Sequence, residues 1–173
     1  MRFTIHSTLE VLRQTPQTLG SLLKNLPEQW VFSNEGENTW SPYDIVGHLL
    51  HGEKTDWIPR LKKILYDNNK LFNPFNRFAQ FKHSREIPVS DLLSEFKNIR
   101  QKNLEYVQKL QLSEKDLLLT GIHPEFGKVT AKELLATWAT HDLSHIAQIS
   151  RVLAKQYKNE VGPWAAYISI LNT

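Results

Sequence analysis

Two histidines fall on one face of the last long helical segment of the chain. His141 and His145 are four residues apart and in phase with Trp138, Ile149 and Val152, at positions where apolar side chains are expected. Four residues advance an α-helix by about 6 Å, so both imidazoles leave the same face. Two ring nitrogens in this arrangement can bind one metal ion at about 2.0–2.1 Å. Two core histidines with ordinary hydrogen bonds explain the spacing equally well.

A metal site on this pair needs a third ligand from another helix. His48 is the natural candidate, because it lies beside the apolar edge Ile45–Leu49 of an earlier helical segment. His51 follows three residues later and could face the same way, but a surface position near Lys54 is the favoured interpretation. Asp44 precedes His48 by one turn, so it could orient the imidazole from behind or simply cap the helix.

Other polar and aromatic side chains near these histidines are candidates for further roles. Glu53 is either a solvated helical charge or an acid–base group near the metal, and Asp44 is the second candidate for handling protons. Gln148 could donate or accept a hydrogen bond with a substrate. Arg151 could attract an anionic substrate, although a surface arginine is the default interpretation. Four tryptophans could line a pocket, although core packing is more common for aromatic residues at helical spacing: Trp40, Trp57, Trp138 and Trp164.

Helical periodicity predicts the elements that must position these residues. Pro16 predicts a kink in the first segment, or a restart with Thr15 as N-cap. Pro59 predicts a bend in the second segment, and Thr130 with Glu133 predicts a capping box at the start of the fourth. No persuasive strand is found, so we predict an all-α four-helix bundle with long connections. The predicted segments are Thr4–Asn25, Ser41–Tyr66, Val89–Leu110 and Thr130–Tyr157, with a short helical tail Pro163–Leu171.

Length and composition exclude several classes of protein. We expect residues 1–173 to form one domain, because the chain is long enough for one sizeable core. The chain has no cysteine, which excludes a disulfide scaffold and a thiolate metal site. Its 21 basic and 18 acidic residues are balanced, so we expect no nucleic-acid partner. The absence of a long apolar stretch and of a signal-like start predicts a cytoplasmic protein without a membrane partner.

Two sequence blocks carry a resemblance to a known family. Residues Thr39–Leu49 resemble the second-helix signature of DinB-like proteins, in particular their YfiT-like branch, and residues Trp138–Ile149 resemble the closing helix of that family. Pro16, the segment 123–127 and the tail motif 162–164 also fit. The resemblance covers nearly the whole chain, and the two histidine blocks together are much more specific than either alone.

The resemblance implies a DinB-type four-helix bundle that holds a divalent metal ion. One ligand comes from the second helix and two come from the fourth, which in this sequence are His48, His141 and His145. Zinc and nickel are the favoured ions, although imidazole also suits copper and iron. Some proteins of the family look like hydrolases, and others look like S-transferases that use low-molecular-weight thiols such as bacillithiol or mycothiol. A homodimer is also implied.

Three histidine ligands predict chemistry rather than a purely structural metal. A divalent ion with three protein ligands keeps an open position, and it lowers the pKa of a water or thiol bound there. The absence of cysteine fits a borrowed thiol as well as it fits a bound hydroxide. We therefore predict a metal-dependent enzyme acting on a small molecule, with transfer of a low-molecular-weight thiol to an electrophile favoured over hydrolysis. A non-catalytic metal-binding or dimerisation protein is the alternative from another class.

Overall fold

The computed structural model of the chain describes residues 2–82 and 87–172. The long helices are α1 (Ile5–Leu23), α3 (Pro42–Thr55) with its continuation α4 (Trp57–Tyr66), α5 (Val89–Leu110) and α7 (Ala131–Lys155). The shorter elements are helices α2 (Glu28–Phe32) and α6 (Glu114–Leu117), strands β1 (Thr120–His123) and β2 (Gly127–Thr130), and 3-10 turns at Ala79–Lys82, Gly162–Tyr167 and Ser169–Leu171. Among the described residues, no helix is both long enough and apolar enough to span a lipid bilayer.

The four long helices close into a bundle. Helix α1 packs against α5 and α7, and α3 packs against the same two helices from the opposite side. Helix α4 continues the wall formed by α3 and also packs against α7. Each long helix thus buries an apolar stripe against two neighbours, which is the arrangement predicted from the periodicity.

The bundle core consists of two apolar clusters separated by a polar layer. Along α5, Phe96 belongs to one cluster and Leu104 to the other, and Arg100 lies between them. Along α7, Trp138 belongs to the same cluster as Leu104, and Ile149 belongs to the same cluster as Phe96. Since every long helix crosses from one cluster to the other, the polar layer lies at the middle of the bundle.

The first helix does not restart at Thr15, so that alternative of the prediction is wrong. Helix α1 is continuous from Ile5 to Leu23 with Pro16 inside it. Its N-cap is Thr4, whose hydroxyl accepts a hydrogen bond from the Ser7 amide at 3.1 Å. Thr15 and Pro16 are both buried, so packing against α5 and α7 offsets the roughly 3 kcal/mol that an internal proline costs.

The predicted bend in the second segment lies at Asp56 rather than at Pro59. A proline ring clashes with the carbonyl group four residues earlier, which here belongs to Thr55, the last residue of α3. The chain therefore leaves helical geometry at Asp56 and starts α4 at Trp57. The start of α3 agrees with prediction, since Ser41 and Asp44 form a reciprocal capping box.

A β-hairpin connects α6 to α7, and the expectation of no strand is wrong at this point. Strands β1 and β2 pair antiparallel with Thr120 opposite Thr130, and the turn closes at Gly127 with φ 71°. Ile122 also pairs with the segment after α4, since its carbonyl accepts a hydrogen bond from the Phe72 amide at 2.9 Å. Strands of four residues are too short for apolar alternation to reveal them.

Candidate metal centre

Three imidazoles from two helices converge in the polar layer of the bundle. The Nε2 atom of His48 on α3 lies 3.3 Å from Nε2 of His141 on α7. The Nε2 atom of His145, one turn further along α7, lies 3.1 Å from the same His141 atom. One ring nitrogen of each residue lies within 4.8 Å of those of the other two. No other group of three potential metal ligands is this close within residues 2–82 and 87–172.

The spacing and chemistry of this donor set fit a divalent metal ion. Two nitrogens that are each about 2.0–2.1 Å from one ion at a tetrahedral angle are about 3.3–3.4 Å apart, which is close to the observed separations. A single hydrogen on Nε2 of His141 could satisfy only one of its two close contacts. A cation would satisfy the lone pairs of His48, His141 and His145 together.

Burial keeps the imidazoles in the form that binds metals. It lowers the pKa of His48 and the pKa of His141 to about 3, and the charge that His145 would carry lowers both further. Burial also lowers the pKa of His145, although its hydrogen bond to Gln148 and the charge of Asp142 act in the opposite direction. The rings are therefore neutral at neutral pH, and neutral imidazole is the ligating form.

The outer nitrogen of each ring lies in a different environment. Nδ1 of His145 lies 2.8 Å from Oε1 of Gln148, and because an amide oxygen only accepts, Nδ1 carries the hydrogen and Nε2 keeps its lone pair. Nδ1 of His48 and Nδ1 of His141 have no hydrogen-bond partner among the described residues. The backbone of Arg77 is near enough to raise the pKa of His48 slightly, but without hydrogen-bond geometry.

Aromatic rings enclose the histidine cluster. Trp40 stacks nearly parallel to His145, with ring centroids 6.3 Å apart and 9° between the planes. Trp57 meets His141 edge to face at 5.2 Å, and Phe75 meets His48 edge to face at 5.4 Å. Close aromatic packing of this kind limits the rotamers of the imidazoles and reduces their contact with water.

The histidines line a cavity of about 940 Å³ between the bundle and the hairpin. Two of the four predicted tryptophans, Trp40 and Trp57, line it. Trp138 is instead buried in the core at 1% exposure, and Trp164 is 70% exposed. The volume lies within the range that small-molecule sites occupy.

Comparison with known proteins identifies the family. The profile of the DinB superfamily matches residues 11–149, which is most of the chain. The chain belongs to the DinB superfamily. Curated relatives from Bacillus cereus (strain 03BB102) and Bacillus anthracis (strain A0248), each named "Putative metal-dependent hydrolase", are 22% identical over 148 residues. These alignments cover 84% of this chain and 83% of each relative.

A solved structure shows the same fold. YfiT from Bacillus subtilis, described as "a probable metal-dependent hydrolase with an unusual four-helix bundle topology", matches with a TM-score of 0.75 at 18% identity. The match covers 88% of this chain and 86% of that chain. The predicted four-helix bundle is therefore confirmed, and the resemblance to DinB-like proteins is confirmed by the family profile.

Within this DinB bundle, Glu53 belongs to a buried ion network. Its Oε1 accepts hydrogen bonds from Arg100 and from the Trp138 indole, each at 2.8 Å. Its Oε2 accepts one from Asn103 at 2.9 Å, and Arg100 also binds Asp142. Glu53 is 2% exposed and does not line the cavity. It is therefore not a solvated helical charge, and its role in handling protons stays a prediction.

Arg100 and Asp142 were missed by the sequence-based interpretation, although a signal for them exists. Arg100 lies four residues after Phe96 and four before Leu104, so it falls in phase with a buried stripe. Asp142 lies four residues after the buried Trp138, so it also falls in phase with a buried stripe. A charge in phase with an apolar stripe is buried with a partner or it breaks the helix packing.

The remaining predicted residues of α3 take structural positions. Oδ2 of Asp44 accepts hydrogen bonds from the Ser41 amide at 2.9 Å and from the Ser41 hydroxyl at 2.6 Å. Asp44 thus caps α3, and neither it nor its capping partner lines the cavity. His51 is half-buried, stacks near Phe75 and contacts the Thr55 hydroxyl at 3.3 Å. It lies outside the three-histidine group.

Arg151 lines the cavity but is already paired. It donates two hydrogen bonds to the carboxylate of Glu35, at 2.9 and 2.8 Å, and Lys155 lies 3.1 Å from the same carboxylate. These partners lower the pKa of Glu35, chiefly through the hydrogen bond from Arg151. Arg151 is therefore tied to the loop before α3 rather than left as an isolated surface cation.

Proposed function

We propose that this DinB protein is a metal-dependent hydrolase of a small molecule, with a divalent transition metal ion held by His48, His141 and His145. The observation that carries the proposal is the convergence of three neutral imidazole nitrogens on the wall of a large cavity. The names of the relatives from Bacillus support the same activity. Zinc and nickel both suit an all-imidazole donor set.

A metal ion with three protein ligands supplies a Lewis acid and lowers the pKa of a bound water towards neutrality. The residues of the chain have separate tasks around it. Gln148 fixes the tautomer of His145, so that Nε2 faces the other two histidines. Trp40 and Trp57 shield the imidazoles and offer flat apolar surface to a substrate. The buried network of Glu53 links α3 to the helices opposite it.

The chain can be tested directly for this activity. The protein is loaded with zinc or nickel, its metal content is measured by elemental analysis, and it is assayed against 4-nitrophenyl esters and 4-nitroanilides. We expect cleavage that requires the metal and is lost in His145→Ala. No cleavage of either class by the fully loaded protein would remove the hydrolase proposal and favour a non-catalytic metal-binding protein.

Transfer of a low-molecular-weight thiol is the activity favoured from the sequence, and it would use the same histidines. We place it second, because the relatives compared above are named for hydrolysis. The deciding assay adds a small thiol together with 1-chloro-2,4-dinitrobenzene. If thiol is consumed at a metal-dependent rate while esters and anilides stay intact, transfer replaces hydrolysis as the function.

We further propose that the protein is a cytoplasmic homodimer with no nucleic-acid or membrane partner, and that residues 1–173 form one domain. The balanced charge of the chain supports the absence of a nucleic-acid partner. Light scattering coupled to size-exclusion chromatography tests the dimer, and a mass near 20.1 kDa would show a monomer instead.

A further inference from the structure

Among the residues that the structure describes, four carboxylates line the cavity that contains the histidine cluster: Glu35, Asp56, Glu125 and Glu133. Glu35 is committed to Arg151 and Lys155 by hydrogen bonds and charge. Glu133 accepts hydrogen bonds from the amide and hydroxyl of Thr130 as part of a capping box. Glu125 is exposed at the tip of the hairpin. Asp56 is the one of the four that is buried, at 7% exposure.

Asp56 also occupies a special position in the chain. It is the residue at which the helix that carries His48, α3, ends and α4 begins. Its side chain makes no capping hydrogen bond to α4. The next residue, Trp57, has its ring 5.2 Å from the ring of His141. Asp56 is outside the three-histidine group, so it lies in the same cavity without being one of the clustered ligands.

Within residues 2–82 and 87–172, the carboxylate of Asp56 has a charged neighbour but no hydrogen bond that holds it. Its Oδ1 lies 2.7 Å from Nε of Arg60, yet Nε has no partner of hydrogen-bond geometry, so the N–H does not point at the oxygen. The Arg60 guanidinium lies over the Phe72 ring at 5.2 Å. A buried carboxylate without a directed donor is free to accept a proton, unlike the fully bonded Glu53.

We propose that Asp56 is the carboxylate that transfers protons during hydrolysis, an inference that rests on the proposed function. As water attacks the carbonyl carbon of an ester or amide, the new C–O bond forms and one proton of the water passes to Asp56. The same proton passes to the leaving oxygen or nitrogen as its bond to carbon breaks. The carboxylate is regenerated, and the net change is addition of one water across the cleaved bond.

The electrostatics of the cavity support this role. Burial raises the pKa of Asp56 to about 6, against the charge of Arg60, which lowers it. A general base works best when its pKa lies near the operating pH. On other elements, the titratable groups that line the same cavity are Glu35 in the loop before α3, Arg77 before the 3-10 turn Ala79–Lys82, His123 on β1, Glu125 in the hairpin turn, and Glu133, His141, His145 and Arg151 on α7. His48 on α3 and Arg60 on α4 line it as well. Burial lowers the pKa of His123, and the charge of Arg60 lowers it further.

The first test compares two aspartates at opposite ends of α4 in the zinc-loaded protein, with 4-nitrophenyl acetate as the substrate. Asp56→Asn should lower kcat by about 100-fold or more, the contribution typical of a general base, while one zinc per chain is retained. Asp67→Asn makes the same chemical change at an exposed site outside the cavity, and it should keep kcat within about threefold. A normal kcat in Asp56→Asn would overturn the inference while leaving the hydrolase proposal standing.

The second test uses the pH profile, which a purely structural aspartate would not control. In the zinc-loaded protein, kcat should fall on the acid side with a midpoint near pH 6, and Arg60→Gln should move that midpoint upward because a neighbouring cation is lost. Zinc content measured at each pH distinguishes the decrease in kcat caused by protonation of Asp56 from a decrease caused by loss of metal. A midpoint that does not move in Arg60→Gln contradicts the inference.

The third test needs neither turnover nor a variant that folds. The ¹³C chemical shift of the Asp56 carboxyl group in the metal-free protein is followed by NMR as pH changes, and it should titrate near pH 6. A midpoint below about pH 5 would overturn the inference. If the metal-loaded wild-type protein hydrolyses no ester or anilide, the proposed function fails and the role of Asp56 fails with it. If the protein is active but its activity does not depend on Asp56, only the role of Asp56 fails.

Discussion

Arg100 on α5 binds both carboxylate oxygens of Asp142 on α7, with hydrogen bonds of 2.6 and 3.1 Å. Asp142 directly follows His141 in the sequence. The same guanidinium donates to Glu53 on α3, five residues after His48. One side chain thus connects the two helices that carry the candidate ligands, and all three charged groups are almost completely shielded from water.

We predict that Arg100→Met destabilises the fold strongly, because it leaves two carboxylates buried without their cation. Breaking a buried ion pair by removing one partner costs about 3–5 kcal/mol in the free energy of unfolding, measured here by urea denaturation. Glu95→Gln is the matched control, since it removes a surface partner of Lys54 and should cost less than about 1 kcal/mol. Equal stability of the two variants would mean that the network contributes no more than a surface pair.

We predict that alanine at His48, His141 or His145 abolishes stoichiometric binding of zinc or nickel. Each substitution removes one of three converging nitrogens, while the helices are retained by the apolar clusters and the Arg100 network. Elemental analysis after dialysis measures the metal, and circular dichroism measures the helix content. His51→Ala, on the helix that carries His48, should keep one metal ion per chain. Loss of metal from His51→Ala would mean that His51 is also a ligand.

We predict that Gln148→Ala weakens metal binding without abolishing it. The amide oxygen holds the ring of His145 through Nδ1, and loss of such a supporting contact typically lowers metal affinity about 10- to 100-fold. Competition with a chromophoric chelator measures the affinity. Gln108→Ala, at an exposed position of α5, should leave it unchanged. An unchanged affinity in Gln148→Ala would show that packing against Trp40 alone positions the imidazole.

The architecture followed from the sequence wherever a helix is long and has a clear apolar stripe. The helix Val89–Leu110 has the predicted bounds, and the capping box of Thr130 and Glu133 opens α7 as expected. The continuation of α1 through Pro16 could not be predicted in this way, because packing against α5 and α7 overrides a local cost. The hairpin was missed since its two strands are only four residues long.

The site was predictable in one part and hidden in another. Histidines in an apolar seam, together with the family resemblance, are enough to name His48, His141 and His145, and the structure brings their Nε2 atoms together. The position of Asp56 depends on where α3 ends, which Pro59 decides through a clash with Thr55. The burial of Glu53 depends on Arg100 in a distant helix, and one amphipathic pattern does not specify which helix faces which.

We predict that Gly121→Ala destabilises the wall of the cavity formed by the hairpin. A Cβ atom at Gly121 would overlap the ring of Phe72 and reach 3.0 Å from Ile64, and overpacking of this kind costs about 1–3 kcal/mol. Gly20→Ala in α1 has open space around the new Cβ and should stabilise the protein by about 0.5–1 kcal/mol. Thermal unfolding of both variants measures the effects, which should have opposite signs.

We predict that the metal-free protein loses stability in acid because of the histidine cluster. The pKa of His48 and the pKa of His141 are about 3 in the folded chain, against about 6.5 in an unfolded chain. The unfolded chain therefore binds more protons between these two pH values. The contribution of these histidines to the free energy of unfolding should be constant well above pH 6.5, and it should fall as the pH drops through about 6.5 towards 3.

Between pH 8 and pH 5, each of the two histidines should lower the free energy of unfolding by about 2 kcal/mol. Urea denaturation of chelator-treated protein at pH 8, 6.5 and 5 measures the decrease. His48→Leu removes one of these groups and should make the decrease smaller by about 2 kcal/mol, whereas His6→Ala, which changes an exposed histidine on α1, should leave it intact. A flat profile between pH 8 and pH 5 in the wild-type protein would contradict the neutral, buried state of the imidazoles, because protonation would then cost the folded chain no more than the unfolded one.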